Sequence, residues 1–297
     1  MALQMKQVMQ RTMIVVLLSV AMFLSGCMAT SGSLKESEPT VGPSFSSSMV
    51  KKQQAQNITP AVIDTRPKLD VIVPVFDPGL PEDLEQAEKN GIWPELRRAE
   101  ANRFAYKLKI ALQNTGAFGA VRVTPDRTST GDLYVLGKID ESNGEEVGIN
   151  IEVYDISEKK WLEKKFTHEV EHGFYENMRN KNKDAYDPVF VEAAEYIVEQ
   201  LRSQSDKELE RLKALAEIRF AASFSDDAFG QHLKLNNEFS FLPFSRRGKV
   251  TLASLPSEDD PMLHRIRSVR IRDQLFIDNM QKHYELFSQN MDNSYYL

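Results

Sequence analysis

The chain has 297 residues, 41% of them hydrophobic and 27% charged, which is enough apolar material for a folded core of one or two domains. A formal net charge of −6 argues against nucleic acid as the main partner, since that role calls for a basic surface. The single cysteine, Cys27, excludes an intrachain disulfide, so stability must rest on packing.

The first element is a leader. Lys6 and Arg11 precede an apolar run from Met13 to Leu24, about a dozen residues, whereas a bilayer-spanning helix needs about 20. A charged start, a short apolar middle and the small residues Ser25 and Gly26 form the pattern of a secretory signal. Leu24-Ser25-Gly26-Cys27 resembles the lipobox of bacterial lipoproteins, in which a peptidase cuts before the cysteine and lipid is attached to its sulfur. The resemblance implies a signal peptide over 1–26 and a lipidated Cys27 whose several acyl chains would hold the chain firmly to membrane lipid. Met28, in place of an aspartate, implies the outer membrane, with the body on the periplasmic face. The plain alternative is an ordinary cleaved signal or an uncleaved anchor. Residues 27–67 are rich in Ser, Thr and Gly without a sustained period and read as a flexible tether.

Leu69–Phe76 is a β-branched run ending at Asp77-Pro78-Gly79, a strand followed by a turn. Pro74 within it points to an edge strand or a bulge. Pro81–Glu88 reads as a short helix or an acidic loop. Glu95–Thr115 is the strongest helix: Ala101, Phe104, Leu108 and Leu112 recur at helical spacing and Gly116 supplies a stop. Arg97, Arg98, Arg103, Lys107 and Lys109 lie mostly off that stripe and read as a charged outer face. Phe118–Thr124 and Asp132–Ile139 are strands, Ser142-Asn143-Gly144 is a hairpin turn, and Val147, Ile149, Ile151 and Val153 alternate along the next strand. Trp161 to His172 alternates again, which predicts three consecutive antiparallel strands. Asp187 reads as the cap and Pro188 as the first turn of a helix carrying Phe190, Ala194, Ile197 and Leu201 on one stripe.

The order strand, helix, four strands, helix, with Val71–Phe76 opening, a helix running into Leu112–Phe118, and Gly131–Ile139 leading into the hairpin, resembles a small α/β domain. That domain is shared by the TolB amino-terminal domain, the curli-secretion lipoproteins and lipoproteins that activate peptidoglycan synthases. The resemblance spans 68–202, with a departure at Pro78–Pro94 that leaves the first connection open. It implies an α+β fold, a small mixed sheet with two packing helices. It also implies a non-catalytic domain that docks on an envelope protein partner or assembles into homo-oligomers.

Residues 203–297 read as a mainly helical extension. Ser205-Asp206 caps a helix to about Phe224, and a short helix is expected over Ala228–Leu235. Phe239–Phe244 and Lys249–Leu255 read as two extended segments around Arg246-Arg247-Gly248. A last helix runs from Met262, with Phe276, Met280, Tyr284, Phe287 and Met291 at helical spacing and a basic first half, Arg265 to Arg272. The plain reading of those arginines is a solvated face beside Asp273 and Asp278; the functional one is a contact for an anionic glycan, a lipid headgroup or an acidic partner. Asn293–Leu297 carries no stop signal, which predicts continuation of the chain or docking of this helix on a partner.

One stretch carries a catalytic pattern. His168-Glu169-Val170-Glu171-His172 matches the H-E-x-x-H of zinc peptidases, with Glu169 as base and Glu192 as a third ligand beside His168 and His172. In a strand, however, His168 and His172 would lie about 13 Å apart at about 3.3 Å per residue, too far to share one zinc. The alternation from Trp161 favours the strand, and with it no metal, no cofactor and no catalytic residue. The sequence therefore predicts a non-catalytic, lipid-anchored accessory or assembly factor of an envelope machine. The alternatives are a regulator of cell-wall or polysaccharide synthesis, or a zinc metallopeptidase.

Overall fold

The sheet is built around β1 (Val71–Pro74), whose four residues are all buried. A computed structural model of the chain describes residues 66–83, 87, 92–180, 183–235 and 250–295. The expected signal sequence with Cys27, the expected tether up to residue 65 and the segment Phe239–Phe244 therefore lie outside the described residues. The fold is α+β: a five-stranded mixed sheet in the order β2-β1-β3-β4-β5, a two-stranded ribbon, and helices packed on them.

β1 runs parallel to both β2 (Val121–Thr124) and β3 (Leu133–Ser142). It is therefore not the edge strand that Pro74 suggested. Val71 and Val75 turn their N–H groups toward β2, which by alternation aims the missing N–H of Pro74 at β3, where pairing has already stopped at Ile72. A proline at that position costs no ladder bond. β3, β4 (Glu146–Asp155) and β5 (Lys160–Glu169) form the expected antiparallel meander. The β3–β4 turn is fixed by Asn143, whose Oδ1 accepts from the N–H groups of Glu145 and Glu146, and by Gly144 at φ +90°. The alternation from Trp161 extends only to Glu169; Val170 to His172 leave the strand and enter a turn.

α1 (Pro94–Asn114) and α2 (Asp187–Arg202) pack on each other and over the sheet. Val147, Ile149, Ile151 and Val153 are fully buried in the cluster that includes both helices. Phe104 of α1 stands at its centre, edge-on to Phe76, Tyr186 and Phe190 at 6.5, 6.0 and 5.2 Å between ring centroids. Asp187 is not a cap: Tyr186 holds that position, and Asp187 sits within the first turn, 3.2 Å from Lys107 Nζ.

α3 (Asp206–Phe224) starts as read, with the Ser205 side chain accepting from the Glu208 N–H. Its Leu209, Leu212, Leu215 and Ala216 join the same core. The core thus runs across the 202/203 boundary, and residues 64–297 form one compact unit. The helix expected over Ala228–Leu235 is shorter: α4 covers Asp226–Phe229, a 3-10 turn covers Gly230–His232, and Leu233–Leu235 is strand β6, paired antiparallel with β7 (Val250–Leu252). Leu233 and Leu252 pack on a second cluster with Phe229, Leu263 and Ile266, and that burial favours the ribbon over another helical turn. α5 (Pro261–Tyr295) closes the unit, packed against α1, α3 and β2. At about 1.5 Å per residue its 35 residues reach past the whole sheet edge. Among the described residues no helix is long and apolar enough to cross a membrane.

Candidate functional site

The first turns of α1 carry a second face, distinct from the apolar stripe. Trp93, Leu96, Arg97, Glu100 and Arg103 stand at positions i, i+3, i+4, i+7 and i+10 and share one side of the helix. Together with Ser142, Asn143 and Gly144 of the hairpin, Tyr175, Tyr186 and Asp292 of α5, they line a cavity of about 410 Å³. Trp93 is 71% and Tyr175 63% exposed at its rim, and Leu96 is exposed beside them.

The polar wall is held by the hairpin. Ser142 Oγ donates to Glu100 Oε1 at 2.8 Å, Gly144 N–H donates to the Tyr186 hydroxyl at 2.7 Å, and the Tyr175 hydroxyl donates to the Gly144 carbonyl at 3.1 Å. Burial pushes the Tyr186 phenol above its ordinary value, so it stays protonated. Arg97 is buried, with Nη2 at 3.4 Å from the Ser142 carbonyl and Nε at 3.7 Å from Glu100 Oε2. Its Nη1 is buried with no hydrogen-bond partner among the described residues.

Deeper in, Arg103 pairs with Asp184 and, at 2.7 Å, with Asp292. Lys107 reaches Asp184 at 3.0 Å and Asp187 at 3.2 Å. Burial disfavours the ammonium, but Asp184 and Asp187 outweigh it and raise the Lys107 pKa. The expected solvated face of α1 is thus only partly so: Arg97, Arg103 and Lys109 are buried, because Asp184 and α5 come over them from distant parts of the chain. Sequence reading missed this site, although the spacing of Trp93, Leu96, Arg97, Glu100 and Arg103 was there to be counted.

A second cavity, of about 510 Å³, lies between α3, α5 and the starts of β1 and β3, lined by Asp70, Asp132, Lys213, Glu217, Arg267 and Arg270. Asp132 is buried; its Oδ2 accepts the Asp70 N–H at 2.8 Å, while Oδ1 stands 3.7 Å from Arg270 Nη2 without a hydrogen bond. Arg267 pairs with Glu217 at 2.5 and 3.2 Å. The basic half of the last helix is therefore in part a set of ion pairs onto the body, not wholly a solvated face.

The zinc-peptidase pattern is dispersed. His168 lies on β5 opposite Val147, Glu169 is exposed at the strand end, His172 is exposed in the following turn, and Glu192 is exposed on α2. The helix on which two imidazoles four residues apart would share a face is absent, since this stretch is strand and turn. Among the described residues no group of three or more His, Cys, Asp or Glu side chains is placed to hold a metal ion.

No protein-family model matches the chain, and no curated protein matches it. Among solved structures it is similar to a PelC dodecamer from Paraburkholderia phytofirmans, at 14% identity, covering 47% of this chain and 92% of that one with a TM-score of 0.29. Neither the fold described above nor the function proposed below rests on that likeness.

Proposed function

We propose that the chain is a non-catalytic accessory protein of a cell-envelope machine, held at the outer membrane through Cys27 and docking a protein partner on the outer face of α5. The observation that carries this reading is a pattern on that helix. Leu275 and Phe276, then Leu286 and Phe287 eleven residues on, are all exposed, with Ile271 beside them. Eleven residues are three helical turns, so the two pairs stand in line on the side away from Ile266 and Ile277, which are buried. A ladder of large apolar side chains on one solvent face is the composition of a protein interface. Asp278, Arg267 and Gln281 meanwhile fasten the opposite face to the body, so the ladder is presented on a fixed support. The alternative role, regulation of cell-wall or polysaccharide synthesis, uses the same surface and differs in what is bound.

Photo-cross-linking in cells from position 275 tests it. An adduct with an envelope protein, or with a second copy of the chain, supports the reading, and Leu286→Glu should remove it. Adducts with lipid alone would overturn it. In the same cells Cys27→Ala should abolish lipid attachment and the cut before it, so that the uncut chain accumulates outside the outer-membrane fraction.

A further inference from the structure

We propose that the cavity at the start of α1 binds an uncharged sugar unit of a glycan. The site lies apart from the docking ladder on α5 and makes a separate claim.

Arg97 is the first reason. Its side chain is 4% exposed and lines the cavity, two of its nitrogens face Ser142 and Glu100, and Nη1 is left without an acceptor among the described residues. A buried guanidinium N–H without a partner is costly; Nη1 has almost no surface open to the cavity, so a ligand oxygen reaches it where the neighbouring wall side chains give way, and recovers that cost there.

Charge decides which oxygen. The wall holds two guanidinium groups, Arg97 and Arg103, and three carboxylates, Glu100, Asp184 and Asp292. Lys107, paired with both Asp184 and Asp187, leaves the cluster with one more carboxylate than cations. An anionic ligand would meet no net attraction and would stand close to Glu100 and Asp292, so like-charge repulsion favours an uncharged acceptor. A hydroxyl group both accepts and donates. It can take a hydrogen from Arg97 Nη1 and give its own to a wall carboxylate, a double requirement that a carboxylate ligand fails.

The rim supplies the rest. Trp93 and Tyr175 present aromatic rings at the mouth, with Leu96 beside them. The Tyr175 ring is held by its hydroxyl on the Gly144 carbonyl, and the Trp93 backbone is set as the residue capping α1. Aromatic surfaces around a few placed polar groups are how small-ligand sites are built, and the volume falls within their usual range of roughly 300–1,000 Å³. A sugar ring has a face of C–H groups and an edge of hydroxyls, which matches an aromatic rim over a mixed donor and acceptor wall.

The test is an array of uncharged glycans, acidic glycans and peptides probed with the full-length chain, followed by titration of the best uncharged oligosaccharide by isothermal calorimetry. Saturable binding of an uncharged glycan is expected. Trp93→Ala and Tyr175→Ala, both at exposed positions, should each weaken it at least tenfold without lowering Tm. Arg97→Lys keeps the charge beside Glu100 but withdraws the forked donor and should weaken binding to a similar extent, whereas Leu286→Glu should leave it unchanged. Absence of binding to every uncharged glycan, preference for acidic glycans or peptides, or undiminished binding by both rim variants would each overturn the proposal.

Discussion

The side-chain amide of Gln281 pairs with both backbone groups of Val123: Oε1 accepts the N–H at 2.8 Å, and Nε2 donates to the carbonyl at 2.8 Å. β2 is the end strand of the sheet, and a glutamine on α5 thus supplies the hydrogen bonds that another strand would have made. Open sheet edges invite pairing with other chains, and covering one with a helix is a known remedy. Gln281→Leu should strand two buried backbone groups and cost about 1–3 kcal/mol. Urea denaturation would measure the loss, and hydrogen exchange should rise at Val121–Thr124.

One turn earlier, Arg122 of β2 holds Asp278 of α5 through two bonds, 2.6 and 3.1 Å. Burial opposes the guanidinium charge, but the Asp278 carboxylate outweighs it and raises the Arg122 pKa. Asp278 is itself about half exposed, so solvent screening keeps the contribution modest. Asp278→Ala should cost about 1–2 kcal/mol, and Asp278→Asn, which keeps one acceptor, less. Paired with Gln281→Leu in a double-mutant cycle, the two losses should be non-additive, since both fasten α5 to β2.

Arg103 presents a harder case, because both its partner Asp184 and its own side chain are buried. Removing one member of a buried pair leaves an uncompensated charge, which costs about 3–5 kcal/mol. Lys107 remains beside Asp184, so Arg103→Ala should fall at the lower end, read as a shift in denaturation midpoint. Lys107→Ala in the same background should then add more than it costs alone.

Stability should also depend on pH through Asp132. Burial raises its pKa above the ordinary 3.8, and the bond from the Asp70 N–H and the nearby Arg270 only partly oppose this. A carboxyl whose folded pKa is raised holds its proton more tightly when folded. Its favourable contribution is therefore full below the unfolded pKa and is lost as pH rises through the folded one. Asp132→Asn can keep the acceptor for Asp70 and has no charge to bury. Its stability relative to the unaltered protein should improve as pH rises from 4 toward neutrality and then level off, checked by urea titrations across that range.

Gly137 makes the tightest steric prediction. It lies on β3 under the ring of Phe76, and a Cβ added there would stand 2.3 Å from the ring carbons. Phe76 is itself wedged edge-on against Phe104. Gly137→Ala should therefore cost about 1–3 kcal/mol through forced repacking, whereas Gly148→Ala on β4, whose nearest neighbour would be 3.4 Å away, should cost less. Thermal unfolding of the two variants compares them directly.

Much of the architecture was legible because local pattern and final burial agree. The stripe Ala101, Phe104, Leu108 and Leu112 of α1 and the alternation Val147 to Val153 of β4 are buried as their spacing requires. Pro74 misled because its missing N–H is read locally, whereas its harmlessness depends on where the β1–β3 pairing stops. The arginines of α1 misled for the same kind of reason: a charged residue off the apolar stripe faces water only if nothing else arrives there, and Asp184 and Asp292 do arrive, from 81 and 189 residues away.

What the sequence determined by itself is what short-range chemistry settles: the periodicities of strand and helix, the turn at Asn143-Gly144 and the cap at Ser205. Only the tertiary structure decided the order of strands, the folding back of α5 along β2, and the cavity where α1, the hairpin and α5 meet. Each of these joins groups separated by tens to hundreds of residues, and one local sequence is compatible with many such pairings. The free energy that selects among them comes from burial and from charges meeting across the core, which exist only once the chain has closed on itself.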